Sequence, residues 1–577
     1  MSLRNRLILP AILSSLAILA ACGGGTHNPP VNPPPSGGFT NSNLSGNYVF
    51  SVTGTANDSD NDFVTIMGVF TADGKGNITG GVLDQNSTAT NGLILATITS
   101  GTYSVGVDGR PTGSPTIPTG LLTLQTDSGD TFQFDFVLTS SEHGLVTQFE
   151  NFGSASGTLD AQSAVTQANI NGRSYAFNFT GSSGFDTVFC NLSVGSPGVV
   201  VPYATVGAFT LDSAGNITSG LEDFNNNCIS SGATNLPVTG GDITLGTNTG
   251  FGTATITSGT GASAVTYTFD VFPIDATHLK FIETDTLPIL VGDAFTQTSS
   301  IPAGNNVFTV AGFDNSANVL GPFTAAGILH TDGNGNIVSD SVQDINDFGV
   351  ASTVNFSGSY TALSGGRAEL TLTSFINGND GLGCSACVFA VYPSSGGLQM
   401  LEIDDAGSTN GIAYAQSATT LASGEGYGMN LSGLFATANG SSSEDDIAEF
   451  TNNNGNFSGI IDFNDQGSTS FKNTFTSTYT ADPTVSGRGT VTPGRNAYNL
   501  TTYVVDSSTA VVVSTEANVN DAYIALGALV KQNASAQSNL VASHLATLRV
   551  NASPRAKSAR KGAPHTRSAT APRTRSK

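Results

Sequence analysis

Apolar and polar residues alternate with a period of two along most of this chain. "GNYVFSVTG" (46–54), "RSYAFNFTG" (173–181), "NNVFTVAG" (305–312) and "GYGMNLSG" (426–433) each place every second residue on one face. That is the pattern of a strand with one side in a core and one side out. Short runs of this kind follow one another, punctuated by Gly, Asn and Asp, and no 3.6-residue period competes with them. The chain is therefore expected to be all-β.

The strands come in sets. "GVFTADGKGNITGGVLDQN" (68–86) returns as "GAFTLDSAGNITSGLEDFN" (207–225), "GILHTDGNGNIVSDSVQDIN" (327–346) and "AEFTNNNGNFSGIIDFN" (448–464). The glycine of the repeated Gly-Asn pair is Gly76, Gly215, Gly335 and Gly455, at intervals of 139, 120 and 120 residues. A repeat of this size can bury its own core, so each copy is a domain rather than a thin solenoid turn. About eight short strands fit into each copy, and consecutive hairpins of that number close naturally into an up-and-down barrel. A β-sandwich is the alternative. It usually brings a core Trp and a Cys pair in each domain, and Trp is absent from the chain. The expected modules are 45–165, 170–300, 303–420 and 424–535.

The repeated loop invites a calcium reading, but six or more oxygens must converge on such an ion. The second copy has Ser213 and Ala214 where the first has Gly74 and Lys75, and the fourth has Asn452, Asn453 and Asn454. What recurs is Gly76-Asn77, Gly215-Asn216, Gly335-Asn336 and Gly455-Asn456. Both residue types tolerate positive φ, so the segment is read as a tight hairpin turn. No cofactor is assigned. Calcium stays as the alternative, with Asp332, Asn334 and Asn336, or "NDSDND" (57–62), as its places.

The amino terminus adds an address. "MSLRNR" is basic, "LILPAILSSLAILAA" is apolar but short for a bilayer span, and Leu19-Ala20-Ala21-Cys22 follows. These residues resemble the lipobox of bacterial lipoproteins. The resemblance implies cleavage after residue 21, acylation of Cys22, and sorting to the outer membrane because Gly23 follows, or otherwise to the cell surface. Residues 22–44, with "GGGTHNPPVNPPPSGG" (23–38), read as an extended tether. The Gly-x-Tyr-x-Phe opening strand and the eight-strand order resemble lipocalin-like barrels. The repeats are similar to those of uncharacterised lipoproteins from soil bacteria, a likeness that implies no activity.

Charge narrows the partners. The chain has 20 Lys and Arg against 43 Asp and Glu. Nine of the cations lie in the last 29 residues and two precede the apolar stretch, which leaves nine for the body. So acidic a body repels nucleic acid. The tail from Arg549 has no acid and too few apolar residues for a core, so it reads as disordered, with a short helix or linker before it. The partners expected are the bilayer through the Cys22 acyl chains, and a glycan, an envelope polymer or a protein.

Candidate chemistry is sparse. Two acidic positions recur: Asp84, Asp223, Asp344 and Asp462, then Glu150, Glu283, Glu402 and Glu516. Glu283 and Glu402 share a face with apolar neighbours and need partners there. Arg110, Arg367 and Arg488 fall at matching points of three copies, so the pairs Arg110–Glu150, Arg367–Glu402 and Arg488–Glu516 are expected at barrel mouths. Separate solvated charges are the alternative. Four cysteines besides Cys22 sit in an exported chain; Cys190–Cys228 and Cys384–Cys387 keep each disulfide inside one module. His143 and His278 occupy near-equivalent points, with no evident nucleophile. No hydrolase, zinc-protease or phosphate-loop motif occurs, so the chain is read as a non-enzyme. The expected role is a structural or binding envelope lipoprotein, concerned with adhesion or envelope contact. A lipocalin-like carrier of a small hydrophobic ligand is second, and a carbohydrate-active enzyme third. Phe-rich strands such as "FQFDF" favour filled barrels over open ones.

Overall fold

The computed structural model describes residues 38–534, apart from 59–60, 90–91, 115–118, 187, 190–191, 194–198, 227–233, 248–249, 286, 315–320, 348, 376–386, 405–406, 438–439 and 517–520. The chain forms four closed barrels, each of eight antiparallel strands in sequence order. Barrel one runs from the strand Ser45–Ala56 to Gly153–Ala161, and barrel two from Ser174–Asp186 to Ile289–Thr296. Barrel three runs from Gly304–Asp314 to Gly407–Ala415, and barrel four from Glu425–Thr437 to Asp521–Lys531. In each the first strand pairs with both the second and the eighth: Tyr48 lies opposite Phe70 and Ala161, and Tyr427 opposite Phe450 and Lys531. Closure leaves no free sheet edge. Barrel two carries one addition among its described residues, a two-stranded ribbon of Val188–Phe189 and Leu192–Ser193.

Alternation decides what fills each barrel. Tyr48, Phe50 and Val52 point inward and meet Phe70, Phe134 and Phe136, with the Phe50 and Phe134 rings 5.4 Å apart. Barrel two repeats this with Phe177, Phe179, Phe269 and Phe281, and barrel three with Phe308, Phe356 and Phe389. Eight strands enclose just enough room for such side chains. Each buried ring contributes about 1.5–3 kcal/mol. In barrel four a void of about 20 Å³ remains between Met429, Phe450, Phe475 and Leu529, roughly the room one water needs.

On the first two and last three strands of the barrels, most residues between the inward ones point outward and are also buried, because the barrels dock on one another. Val49, Met67 and Val69 of barrel one pack on Phe272, Ile282 and Val291 of barrel two. Ala204 and Val206 of barrel two pack on Tyr392 and Leu401 of barrel three. Val307 and Ile328 of barrel three meet Tyr503 and Val513 of barrel four. Ile447 and Ala528 of barrel four meet Val137 and Leu145 of barrel one. The last contact closes a ring. At every seam, residues of the leading strands of one barrel meet residues of the sixth to eighth strands of the next, so one contact is used four times, head to tail.

The repeated Gly-Asn turn is a hairpin, with one correction to its mechanism. The glycines take positive φ: Gly76 +110°, Gly215 +93°, Gly335 +98° and Gly455 +84°. The asparagines after them do not. Instead Asn77, Asn216 and Asn336 donate their side-chain amides to Asp73, Asp212 and Asp332 at 2.7–2.8 Å. Each aspartate also accepts backbone N–H groups, as Asp332 does from Asn334 and Asn336. These bonds hold the Asp332 carboxyl at about 2, below its ordinary value.

Candidate functional site

The repeated aspartates and the three arginines that sequence reasoning singled out converge on the seams. The third strand of each barrel carries Asp-x-Asn: Asp84 and Asn86, Asp223 and Asn225, Asp344 and Asn346, Asp462 and Asn464. In barrel one the neighbouring Leu83 belongs to the core, so by alternation Asp84 and Asn86 face out. Each asparagine spans two backbone carbonyls of the next barrel, at the end of its seventh strand and near its eighth. Asn86 Nδ2 donates to Glu283 O and Asp285 O at 2.7 and 3.0 Å. Asn225 donates to Glu402 O and Gly407 O at 2.8 and 3.0 Å, and Asn346 to Ser514 O and Tyr523 O, both at 3.1 Å. Asn464 closes the ring on Gln148 O and Gly153 O at 2.6 and 2.9 Å.

A glutamine works at the other end of each seam. Gln162, Gln297, Gln416 and Gln532 directly follow the eighth strands. They donate to Pro273 O, Gly365 O, Val504 O and Leu138 O, at 2.8, 2.9, 2.8 and 3.0 Å. The next residue's N–H adds a backbone bond each time: Ser163 to Ile274, Thr298 to Pro393, Ser417 to Val505, and Asn533 to Thr139. Buried carbonyls are thereby satisfied across every contact.

The arginines sit in these seams, not over the glutamates. Arg367 holds Asp223 of barrel two in a two-pronged pair, Nε–Oδ2 2.8 Å and Nη2–Oδ1 3.0 Å. Arg488 holds Asp344 of barrel three likewise, at 2.7 and 2.8 Å, and Arg110 pairs with Asp462 of barrel four. Tyr392 adds a 2.6 Å hydrogen bond to Asp223, and Tyr503 one to Asp344. The expected pairing of Arg110, Arg367 and Arg488 with Glu150, Glu402 and Glu516 is thus corrected. Glu402 accepts from Thr409, Glu150 from Gln148, and Glu516 from Asn499. Nor are the four glutamates equivalent. Glu283 and Glu402 face Phe269 and Phe389, a place held by Gln148 and Ser514 in barrels one and four. Glu150 and Glu516 lie two residues further on.

The seam between barrels one and two differs. Barrel two has no arginine there, and Asp84 hydrogen-bonds Asp270, which requires one carboxyl to keep its proton. Burial first, and then the Asp270 charge, push Asp84 up to about 8. The same seam buries Lys280, 3.3 Å from Asp293 and 3.8 Å from Asp160, with Ser51 Oγ at 3.2 Å. His143 reaches Asp160 at 2.7 Å, and His278 reaches Asp293. Burial opposes ionisation of Asp160, but His143 and Lys280 outweigh it and hold the carboxyl well below the usual range. Two histidines the sequence left idle therefore flank a charge cluster joining two barrels. A groove of about 700 Å³ opens alongside, lined by Asn47, Gln162, Val165, Thr247, Phe251 and Pro273.

Other sequence expectations fall elsewhere. Cys387 is disulfide-bonded; Cys190, Cys228 and Cys384 lie outside the described residues, as do Cys22, the tether up to residue 37 and the basic tail. Among the described residues no three His, Cys, Asp or Glu side chains converge as a metal site. The seam motif was present in the sequence as Asp-x-Asn on an outward face, four times over; its partner barrel was not.

No protein-family model matches the chain, and no curated protein matches it. Among solved structures, the isotype 1 transferrin binding protein B (TbpB) from serogroup B Neisseria meningitidis overlaps 68% of this chain and 84% of its own. The identity is 11% and the TM-score 0.17. An overlap that poor speaks to neither fold nor function, and the barrels rest on their own strand pairing.

Proposed function

We propose that this protein is an envelope scaffold, held to a bilayer through Cys22, that meets a partner through the loops at the far end of its ring. The placement of the chain ends carries this reading. The first strand of barrel one begins and the last strand of barrel four finishes at the same end, where Asn43 Nδ2 donates to Ala534 O at 2.8 Å. The links between barrels, 162–173, 297–303 and 416–424, lie at that end too. A tether from Cys22 would therefore reach the linker end and leave the other end free. Phe152, 68% exposed, and Leu287, 52% exposed, sit on loops of the free end, and exposed apolar side chains on loops favour contact with a partner. Filled lumens in barrels one to three favour the outer surface over the interior as the place of binding.

Fluorescence transfer tests the orientation. Lys75→Cys places a label at the linker end and Ser128→Cys at the free end, with the acylated protein on vesicles that carry an acceptor lipid. The reading expects stronger transfer from position 75. Stronger transfer from 128, or vesicle binding unchanged by Cys22→Ser, would reject it.

A further inference from the structure

We propose that the seam between barrels four and one is a pH-sensitive latch, closed while Glu449 keeps its proton and open once that proton is lost. The inference goes beyond the scaffold reading and does not depend on it. The barrels are joined in series by the links 162–173, 297–303 and 416–424. None of these links joins barrel four back to barrel one, so the two faces of this seam can part without stretching a link.

Barrel four departs from its sisters at the contact itself. Strand pairing sets Phe70, Phe209, Leu329 and Phe450 in register, opposite Tyr48, Tyr175, Asn306 and Tyr427. The residues just before them face the neighbouring barrel. Val69, Ala208 and Ile328 are apolar and belong to the clusters that fill the other three seams. Barrel four has Glu449 there, fully buried. Glu449 pairs with Gly428, where an added Cβ would lie 2.9 Å from Val137 and 3.0 Å from Thr139 of barrel one. A carboxyl thus stands where the other seams place hydrocarbon.

Glu449 has no partner for a charge. Neither of its carboxyl oxygens has a hydrogen-bond partner. Arg110 of barrel one commits its Nη2 to Asp462, and its buried Nε and Nη1 reach no acceptor. Asp108 and the fully buried Asp135 stand near the same guanidinium, and Asp135 Oδ2 is also without a partner. Lys472 is the second cation here, and its ammonium donates to Gly113 O at 2.8 Å. Burial, and then the Asp108 charge, push Glu449 up to about 8 against the pull of Arg110. Burial pushes Asp135 up to about 6. A neutral Glu449 is tolerable in the closed seam, whereas a carboxylate there would lack both water and donors. Parting the faces hydrates it. The closed ring therefore holds a proton that a hydrated carboxyl releases near 4.5, so the benefit is complete below that pH and is lost as pH climbs through 8.

Paired spin labels test the latch in the full-length protein. Ser128→Cys with Thr490→Cys places one label on each side of the closing seam, and Thr253→Cys with Thr373→Cys does so for the seam between barrels two and three. All four positions are exposed. Between pH 6 and 9.5 the first distance should lengthen reversibly, with a midpoint of about 8, while the second stays fixed. Glu449→Val, which supplies the side chain of barrel one at this place, should abolish the lengthening. Glu449→Gln should do the same, and carries the test if the valine variant does not fold. Asp84→Asn should leave the lengthening intact, because Asp84 belongs to another seam. A closing-seam distance that ignores pH, or that shortens as Glu449 finds Arg110, would overturn the proposal. So would lengthening that survives both Glu449 substitutions, disappears in Asp84→Asn, or is matched by the second pair.

Discussion

Phe251 occupies in barrel two the strand position that Arg367 occupies in barrel three. Ala254 pairs with Phe269 and Leu370 with Phe389, and each residue in question lies three positions earlier. Phe251 stacks on Phe272, 5.9 Å between ring centres, and Phe272 stands where Tyr392 stands in barrel three, three residues beyond the aligned phenylalanine. An Arg–Tyr pair that holds an aspartate has become a Phe–Phe stack, and Asp84 keeps company with Asp270 instead. Losing the guanidinium and gaining the shared proton are one change.

The first seam should therefore weaken as pH rises. Asp84 is raised by burial from its ordinary range to about 8, so the folded state holds a proton that the unfolded chain releases near pH 4. Its stabilising effect is complete below that value and is lost as pH climbs through 8. Calorimetric scans between pH 5 and 8.5 should show a declining first transition in the parent and a flatter one in Asp84→Asn. Phe251→Arg with Phe272→Tyr should flatten it too, by restoring the ion pair of the other seams.

Cutting one arginine should cost more than cutting a pair. Asp223 is fully buried against Arg367. Arg367→Met leaves that carboxylate uncompensated, a loss of about 3–5 kcal/mol. Arg367→Met together with Asp223→Leu should recover most of it. Urea denaturation of the two variants settles the order.

Gln532 is the last clasp of the ring. Its side-chain amide donates to Asp108 O at 2.8 Å and Leu138 O at 3.0 Å. Gln532→Ala strands two carbonyls, at about 1–3 kcal/mol. Hydrogen exchange should quicken at Asn533 and in the neighbouring strands of barrels one and four, and stay unchanged at the seam between barrels two and three.

The turn clamp can be read by titration. Asn336→Ala removes the Asn336 side-chain hydrogen bond to Asp332, and the Asp332 carboxyl should move up from about 2 toward its ordinary range. Carbon-detected NMR of that carboxyl measures the change. Asp73, clamped by its own Asn77, should not move.

Strand number, barrel closure and aromatic filling were legible in the sequence because alternation and repeat length are local and cumulative. The same locality misled the pairing of charges. Arg367 and Glu402 share a module, so a partner within it was the natural assignment. The true partner, Asp223, lies 144 residues away on another barrel. Asp223 alternates with residues that face its own core, a sign that it looks outward, but no period in a sequence says what stands opposite an outward residue.

A contact repeated head to tail either closes on itself or continues without end. Here covalent continuity and a final clasp close it after four steps, and both complementary faces of every barrel are consumed. Excision of one barrel would leave a donor face and an acceptor face unspent on the same molecule. Such a chain would be self-adhesive and would grow into filaments, so the fourth copy forestalls a polymer as much as it completes a shape.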